Sequence, residues 1–155
     1  MRTSFRCAHY LEVQMNPTLS ACCLALLLTG TSAVAQEATP EISLELNRAT
    51  PSSEGGCQLV FFGQNGLDQD FEEVTWRLAV FGSAGVFRNL LGLPLGALSA
   101  GKRRVVQYIL PTACTDLSEI IVNDVASCAL AGAGDSDACL TQLTVTSRTD
   151  IAFGL

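Results

Sequence analysis

Histidine is all but missing from this sequence: His9 is the only one, beside a single tryptophan, Trp76, and two tyrosines, Tyr10 and Tyr108. Each shortage excludes a chemistry. Ser-His-Asp and Cys-His catalysis both need an imidazole, as do histidine zinc sites. His9 lies in a segment expected to be removed, so the mature chain is read as having none of these. Two remaining candidates for stacking, Trp76 and Tyr108, are too few for a sugar-binding face, and Tyr108 sits mid-strand. No C-x-x-C pair occurs, which removes the dithiol redox motif and the usual zinc spacing. The acidic run Asp68, Asp70, Glu72 and Glu73 lacks the glycine and spaced glutamate of an EF-hand, and is read as a solvated loop. Asp135-Ser136-Asp137 is at best a weak calcium contact. No enzyme activity, cofactor or metal is expected.

Long apolar runs are also lacking. The longest, Leu19 to Gly30, covers twelve residues, short of the about 18–20 that a membrane span asks for. It follows the basic residues Arg2 and Arg6 and precedes Ala33-Val34-Ala35, with Gln36 next. That layout predicts a Sec-type signal peptide over residues 1–35, cleaved after Ala35, and one exported domain over 36–155. Translation from Met15 in place of Met1 would remove both arginines. Periplasmic or extracellular location follows, with no stable membrane insertion after cleavage.

The segment beyond residue 35 keeps 14 acidic and 7 basic side chains, a net charge of −7. Such a surface repels nucleic acid and anionic lipid. Cys7, Cys22 and Cys23 leave with the leader, and Cys57, Cys114, Cys128 and Cys139 remain. An even cysteine count in a small exported domain predicts two disulfides. Three pairings are open. Cys57–Cys114, bridging strands, with Cys128–Cys139, pinning a polar loop, is favoured over the others and over a four-thiolate zinc site.

What the chain has is short alternation. Ile42, Leu44 and Leu46 alternate with polar residues. Cys57, Leu59 and Phe61 mark a second strand with little polar face, expected to be central. "GQNGLDQDFEE" reads as an acidic connection. Val74, Trp76, Leu78 and Val80 form one face of a third strand, followed by a Gly82–Gly85 turn and a short return over Val86 to Leu91. Further strands are expected at Arg103 to Leu110, Ile120 to Asn123 and Leu143 to Ser147, with "DIAF" extending the last and "AGAGDSDA" as a loop. About seven strands at this spacing predict an all-β, immunoglobulin-like sandwich, whose core Trp76 on the third strand and Cys57 on the second would fit, a small β-barrel being the competitor.

Three stretches in order, "CQLVFFGQN", "VTWRLAVFGSAGVF" and "LGALSAGKRRVVQYIL", resemble those of small exported bacterial proteins with an immunoglobulin-like sandwich. In that plan a strand ending in Asn precedes a strand ending in an aromatic and a glycine turn, and an L-x-x-G turn introduces the next. The ending "C…C-L…L-T-x-x-S-R-T-D" is similar to that of small periplasmic proteins. The resemblance covers Ile42 to Leu110 best. It implies a fold and a location, and it brings no catalytic residue.

"GALSAGKRR", Gly96 to Arg104, contains G-x-x-x-x-G-K, yet Arg103 replaces the Ser or Thr that holds magnesium. The β-branched residues that follow predict a strand where a phosphate loop needs a helix. The basic triplet Lys102, Arg103 and Arg104 is therefore read as a charged edge, and as the place for an anion or acidic partner to contact. On an extended strand Lys102 and Arg104 would point one way and Arg103 the other. The functional expectation is a non-enzymatic domain that binds an unidentified protein through sheet edges or loops. The alternative is an acidic inhibitor of a basic exported enzyme, such as a lysozyme or protease.

Overall fold

A computed structural model describes residues 40–155. The expected leader lies outside them, with Ala33, Ala35, Gln36, His9 and both candidate start residues. Period-two burial builds the sheets: Ile42, Leu44 and Leu46 are fully buried and Ser43 and Glu45 only partly, because successive side chains of a strand face opposite ways. The strands are β1 (Ile42–Pro51), β2 (Cys57–Asn65), β3 (Phe71–Gly82), β4 (Val86–Leu98), β5 (Arg103–Leu110), β6 (Leu117–Leu130), β7 (Gly134–Asp135), β8 (Leu143–Ser147) and β9 (Ala152–Gly154). One helical turn, α1 (Ala138–Thr141), precedes β8. No helix among the described residues is long and apolar enough to cross a membrane.

Two sheets result, and no closed barrel. The first has the order β5-β2-β1-β8. The second has the order β4-β3-β6-β7, with β9 also on β6. Pairing is antiparallel except for β1 with β8 and β6 with β9. β2 is interior, as its sparse polar face required. The core between the sheets is filled by Trp76, Phe61, Phe71 and a set of leucines, all essentially without exposure.

Several boundaries differ from the sequence reading. β4 runs to Leu98 and β6 spans fourteen residues, because each pairs along nearly the whole of β3. The acidic connection shrinks to Gly66–Asp70, since Gly63–Asn65 belong to β2 and Phe71–Glu73 to β3. "DIAF" does not prolong β8. It crosses to the other sheet as β9, where Phe153 meets Phe61 edge-to-face at 5.7 Å. The Gly/Ala-rich loop carries β7 and leads into α1. Nine strands thus replace the expected seven, the added ones being two and three residues long.

The disulfides are Cys57–Cys114 and Cys128–Cys139. The first joins β2 to a 3₁₀ turn, Cys114–Asp116, that opens into β6 of the opposite sheet. The second ties β6 to α1. Trp76 and Cys57 both lie fully buried in the one core, as expected, and Trp76 also meets the second bridge: its indole N–H donates to the Cys139 carbonyl at 2.8 Å. A buried indole needs such an acceptor, and α1 supplies it.

Candidate functional site

β4 and β5 each have one neighbour in their sheet, so each is an edge. They follow one another in sequence and are stitched together across the sandwich. Gly63, on β2, lies against the Leu95 side chain of β4, where any Cβ would collide. Arg104, opposite Gly63 in the β2–β5 ladder, donates through Nη1 to the Leu95 carbonyl at 2.7 Å. The two edges thereby form one flank of the molecule.

The connection between them is the "GALSAGKRR" stretch. β4 ends at Leu98, the Lys102 N–H donates to the Ser99 carbonyl at 2.9 Å, and Gly101 takes a positive φ of 69° that a side chain would resist. A strand follows at once. The lysine of the apparent phosphate loop is the last residue of a tight turn. Asn65, the only buried polar side chain among the described residues, anchors this turn. Its Nδ2 donates to the carbonyls of Gln69 and Leu98, and its Oδ1 accepts from the Leu67 N–H. Its backbone exchanges bonds with Lys102 and Gly101. Asp70, one of the four acids read as a solvated loop, caps the same turn by accepting from the Ala100 N–H at 2.8 Å.

The basic triplet therefore divides. Lys102 belongs to the turn and not to the strand, so it does not share a strand face with Arg104. Arg104 is half-buried and committed to Leu95. Arg103 is exposed on the outer face, and neither it nor Lys102 has an ion pair among the described residues.

The apolar surface of this flank was not read from the sequence. Val86, Phe87 and Leu90 on β4, and Val105, Tyr108 and Ile109 on β5, are between 38% and 59% exposed. They make up six of the eight large apolar residues exposed in the described part; the others are Leu140 and Leu155. A signal for this flank was present: from Val74 to Thr115 there are 42 residues without one Asp or Glu, and with five cations. In a chain of net charge −6, that is a strong local inversion of sign.

Elsewhere a concavity of about 430 Å³ opens where β8 leaves β1, lined by Arg48, Ala49, Cys114, Thr115, Arg148 and Asp150 among others. Its charges largely offset one another, because Arg148 is bonded to Glu45 at 2.8 Å and the lining holds Asp150 as well as Arg48. Among the described residues no three His, Cys, Asp or Glu side chains gather as metal ligands. The β4–β5 flank is thus the more distinctive surface.

No protein-family model matches the chain, and no curated protein matches it. A solved structure of IrmA from Escherichia coli is similar in fold, with a TM-score of 0.52 and 12% sequence identity over 69% of this chain and 92% of that one. At that identity the likeness is one of architecture, and it agrees with a two-sheet β-sandwich.

Proposed function

We propose that this protein is an exported, disulfide-stabilised, non-enzymatic domain that binds another protein along the β4–β5 flank. The observation that carries the reading is the concentration of exposed apolar side chains on two adjacent edge strands. Single exposed apolar residues are ordinary; six of eight falling on the two edge strands, with Phe87, Leu90, Val105 and Ile109 outside the sheets, supports an interaction surface that wraps this edge. Unpaired strand edges also offer backbone donors and acceptors to an incoming chain. Export is supported by the signal-like leader and the two disulfides. The absence of histidine from residues 36–155 supports a non-catalytic role.

The immunoglobulin-like assignment belongs to this reading. β2 lies between β1 and β5, and β3 between β4 and β6, with the chain changing sheets after β4 and again after β5. That order supports equating β1, β2, β3, β5 and β6 with the A, B, C, E and F strands of such a sandwich.

Photo-crosslinking in cells tests the binding role. A photoreactive residue in place of Val105 or Phe87 is expected to trap a discrete protein partner, and one in place of Thr144, exposed on β8 at the far edge of the first sheet, is not. Equal trapping at all three positions, or none at the flank, overturns the assignment. The acidic surface supports a second reading, inhibition of a basic exported enzyme. Titrating lysozyme and protease assays with the protein at low and moderate salt decides it, since charge-steered inhibition fades as salt rises.

A further inference from the structure

Resting on that reading, we propose that β5 is the edge that receives the partner, and that the partner presents an extended segment with acidic residues at one end and alternating apolar residues along it. The two edges of the flank are not equivalent. β5 pairs with β2 in unbroken register over eight residue pairs, from Cys57↔Leu110 to Gln64↔Arg103. β4 shifts register three times against β3, and Pro94 has no N–H to offer. Bulges and proline blunt an edge, while a regular one templates a further strand.

The outer face of β5 reads Arg103, Val105, Gln107 and Ile109, all exposed. Behind them, in register on β2, lie Gln64, Phe62, Val60 and Gln58, all half-buried. An added strand would meet a cation first, then apolar, amide and apolar positions. Lys102 supplies a second positive charge at the Arg103 end, and the Gln58–Gln107 side-chain bond of 3.0 Å fixes the amide position. Cross-strand pairs of opposite charge and of apolar side chains are the favourable ones. The segment that matches carries its acid beside Arg103 and apolar residues beside Val105 and Ile109.

A second copy of this chain is a poorer occupant. Edge-to-edge contact between two copies would bring cations onto a flank that has no carboxylate from Val74 to Thr115. A membrane is poorer too. Phe87 and Leu90 pair with Phe81 and Ala79 on the outside of the second sheet, and Val105 and Ile109 lie outside the first, so the apolar surface wraps the edge and presents no plane.

The test uses the full processed chain and three labelled eight-residue peptides of alternating valine and threonine. One carries two glutamates at its C-terminus, one carries them at its N-terminus, and one carries lysines. By fluorescence anisotropy one of the acidic peptides is expected to bind about tenfold tighter than the lysine peptide, the size that two or three favourable cross-strand pairs supply. Arg103→Glu, which leaves Lys102 and a net charge of zero at that end, is expected to erase that preference and Ile109→Lys to abolish binding, with unfolding midpoints unchanged for both. Equal binding of acidic and basic peptides, or binding indifferent to Arg103→Glu, overturns the inference. So does a peptide-free dimer that Ile109→Lys dissociates, or sedimentation with phosphatidylglycerol vesicles that Ile109→Lys removes. The two proposals fail separately. A partner crosslinked at Val105 with no preference for acidic peptides removes only this inference, and the absence of any crosslink on the flank removes the binding role itself.

Discussion

The Asn65 side chain donates to the Leu98 carbonyl at 3.0 Å, joining the last residue of β2 in one sheet to the last residue of β4 in the other. The same amide nitrogen donates to Gln69, and Oδ1 accepts from Leu67, so a fully buried polar group has its capacity met. Replacing it by alanine strands two carbonyls and an N–H, each worth roughly 1–3 kcal/mol when buried without a partner. Asn65→Ala is expected to cost about 2–4 kcal/mol, and Asn65→Asp no less, since a carboxylate cannot donate to Gln69 or Leu98. Equilibrium urea unfolding with an unchanged slope checks it. A loss below about 1 kcal/mol would show that this network does not hold the turn.

The two disulfides should differ in what their loss does. They close loops of 57 and 11 residues in sequence separation. Chain entropy assigns about 4 kcal/mol to the first and about 3 kcal/mol to the second. Cys57→Ala with Cys114→Ala removes the covalent tie between the sheets. Cys128→Ala with Cys139→Ala also loosens α1, which carries the acceptor for the Trp76 indole. The second pair is therefore expected to lose more than chain entropy alone gives, with near-ultraviolet circular dichroism of Trp76 reporting it. An unaltered tryptophan signal in that variant would contradict the coupling.

The alternation of Ile42–Leu46 and Val74–Val80, the turn at Gly82–Gly85 and the limits of β5 were legible because each rests on neighbours in sequence. Strand length was not. β4 extends through Gly92 and Pro94, and β6 through a polar stretch, because both are templated by β3, a long-range cause that local composition does not carry. Asn65 stood in the sequence as a strand-ending residue, but its role depends on Leu98, thirty-three positions away. The triplet was visible as charge, while the division of Arg104 from Arg103 required knowing that Leu95 lies across the sandwich. The apolar flank escaped notice because Val105 and Ile109 look the same in sequence whether they face a core or solvent.

Acid should weaken one corner of the fold. The hydrogen bond from Asn47 holds the Glu45 carboxyl below its ordinary value, against a rise from partial burial and with help from the Arg148 bond and charge. A folded-state value below the unfolded one means stability that is present above the unfolded pKa and lost as pH falls through the folded one. Between about pH 5 and pH 3 the wild type is expected to lose this increment and Glu45→Gln is not. Unfolding midpoints across that interval measure the difference, and added salt should reduce it, because Arg148 is largely exposed. Parallel pH profiles for the two proteins would dismiss the role of Glu45.

Arg103 and Arg104 are adjacent, carry the same charge and should behave oppositely. Arg104 reaches inward to the Leu95 carbonyl, and Gly63 opposite it makes room for the Leu95 side chain. Arg104→Ala leaves that carbonyl without its charged donor, at an expected cost of about 1–3 kcal/mol. Gly63→Ala forces the Leu95 side chain away and is expected to cost a similar amount, about 1–3 kcal/mol, as overpacking does. The two changes act on one contact, so their double variant should lose less than the sum of the single losses. Arg103→Ala touches nothing in the fold and is expected to fall within about 0.5 kcal/mol of wild type. Urea midpoints for the four variants measure the whole set. Equal losses at positions 103 and 104 would show that the triplet acts only as exposed charge, and a fully additive double variant would separate Gly63 from the bond that Arg104 makes.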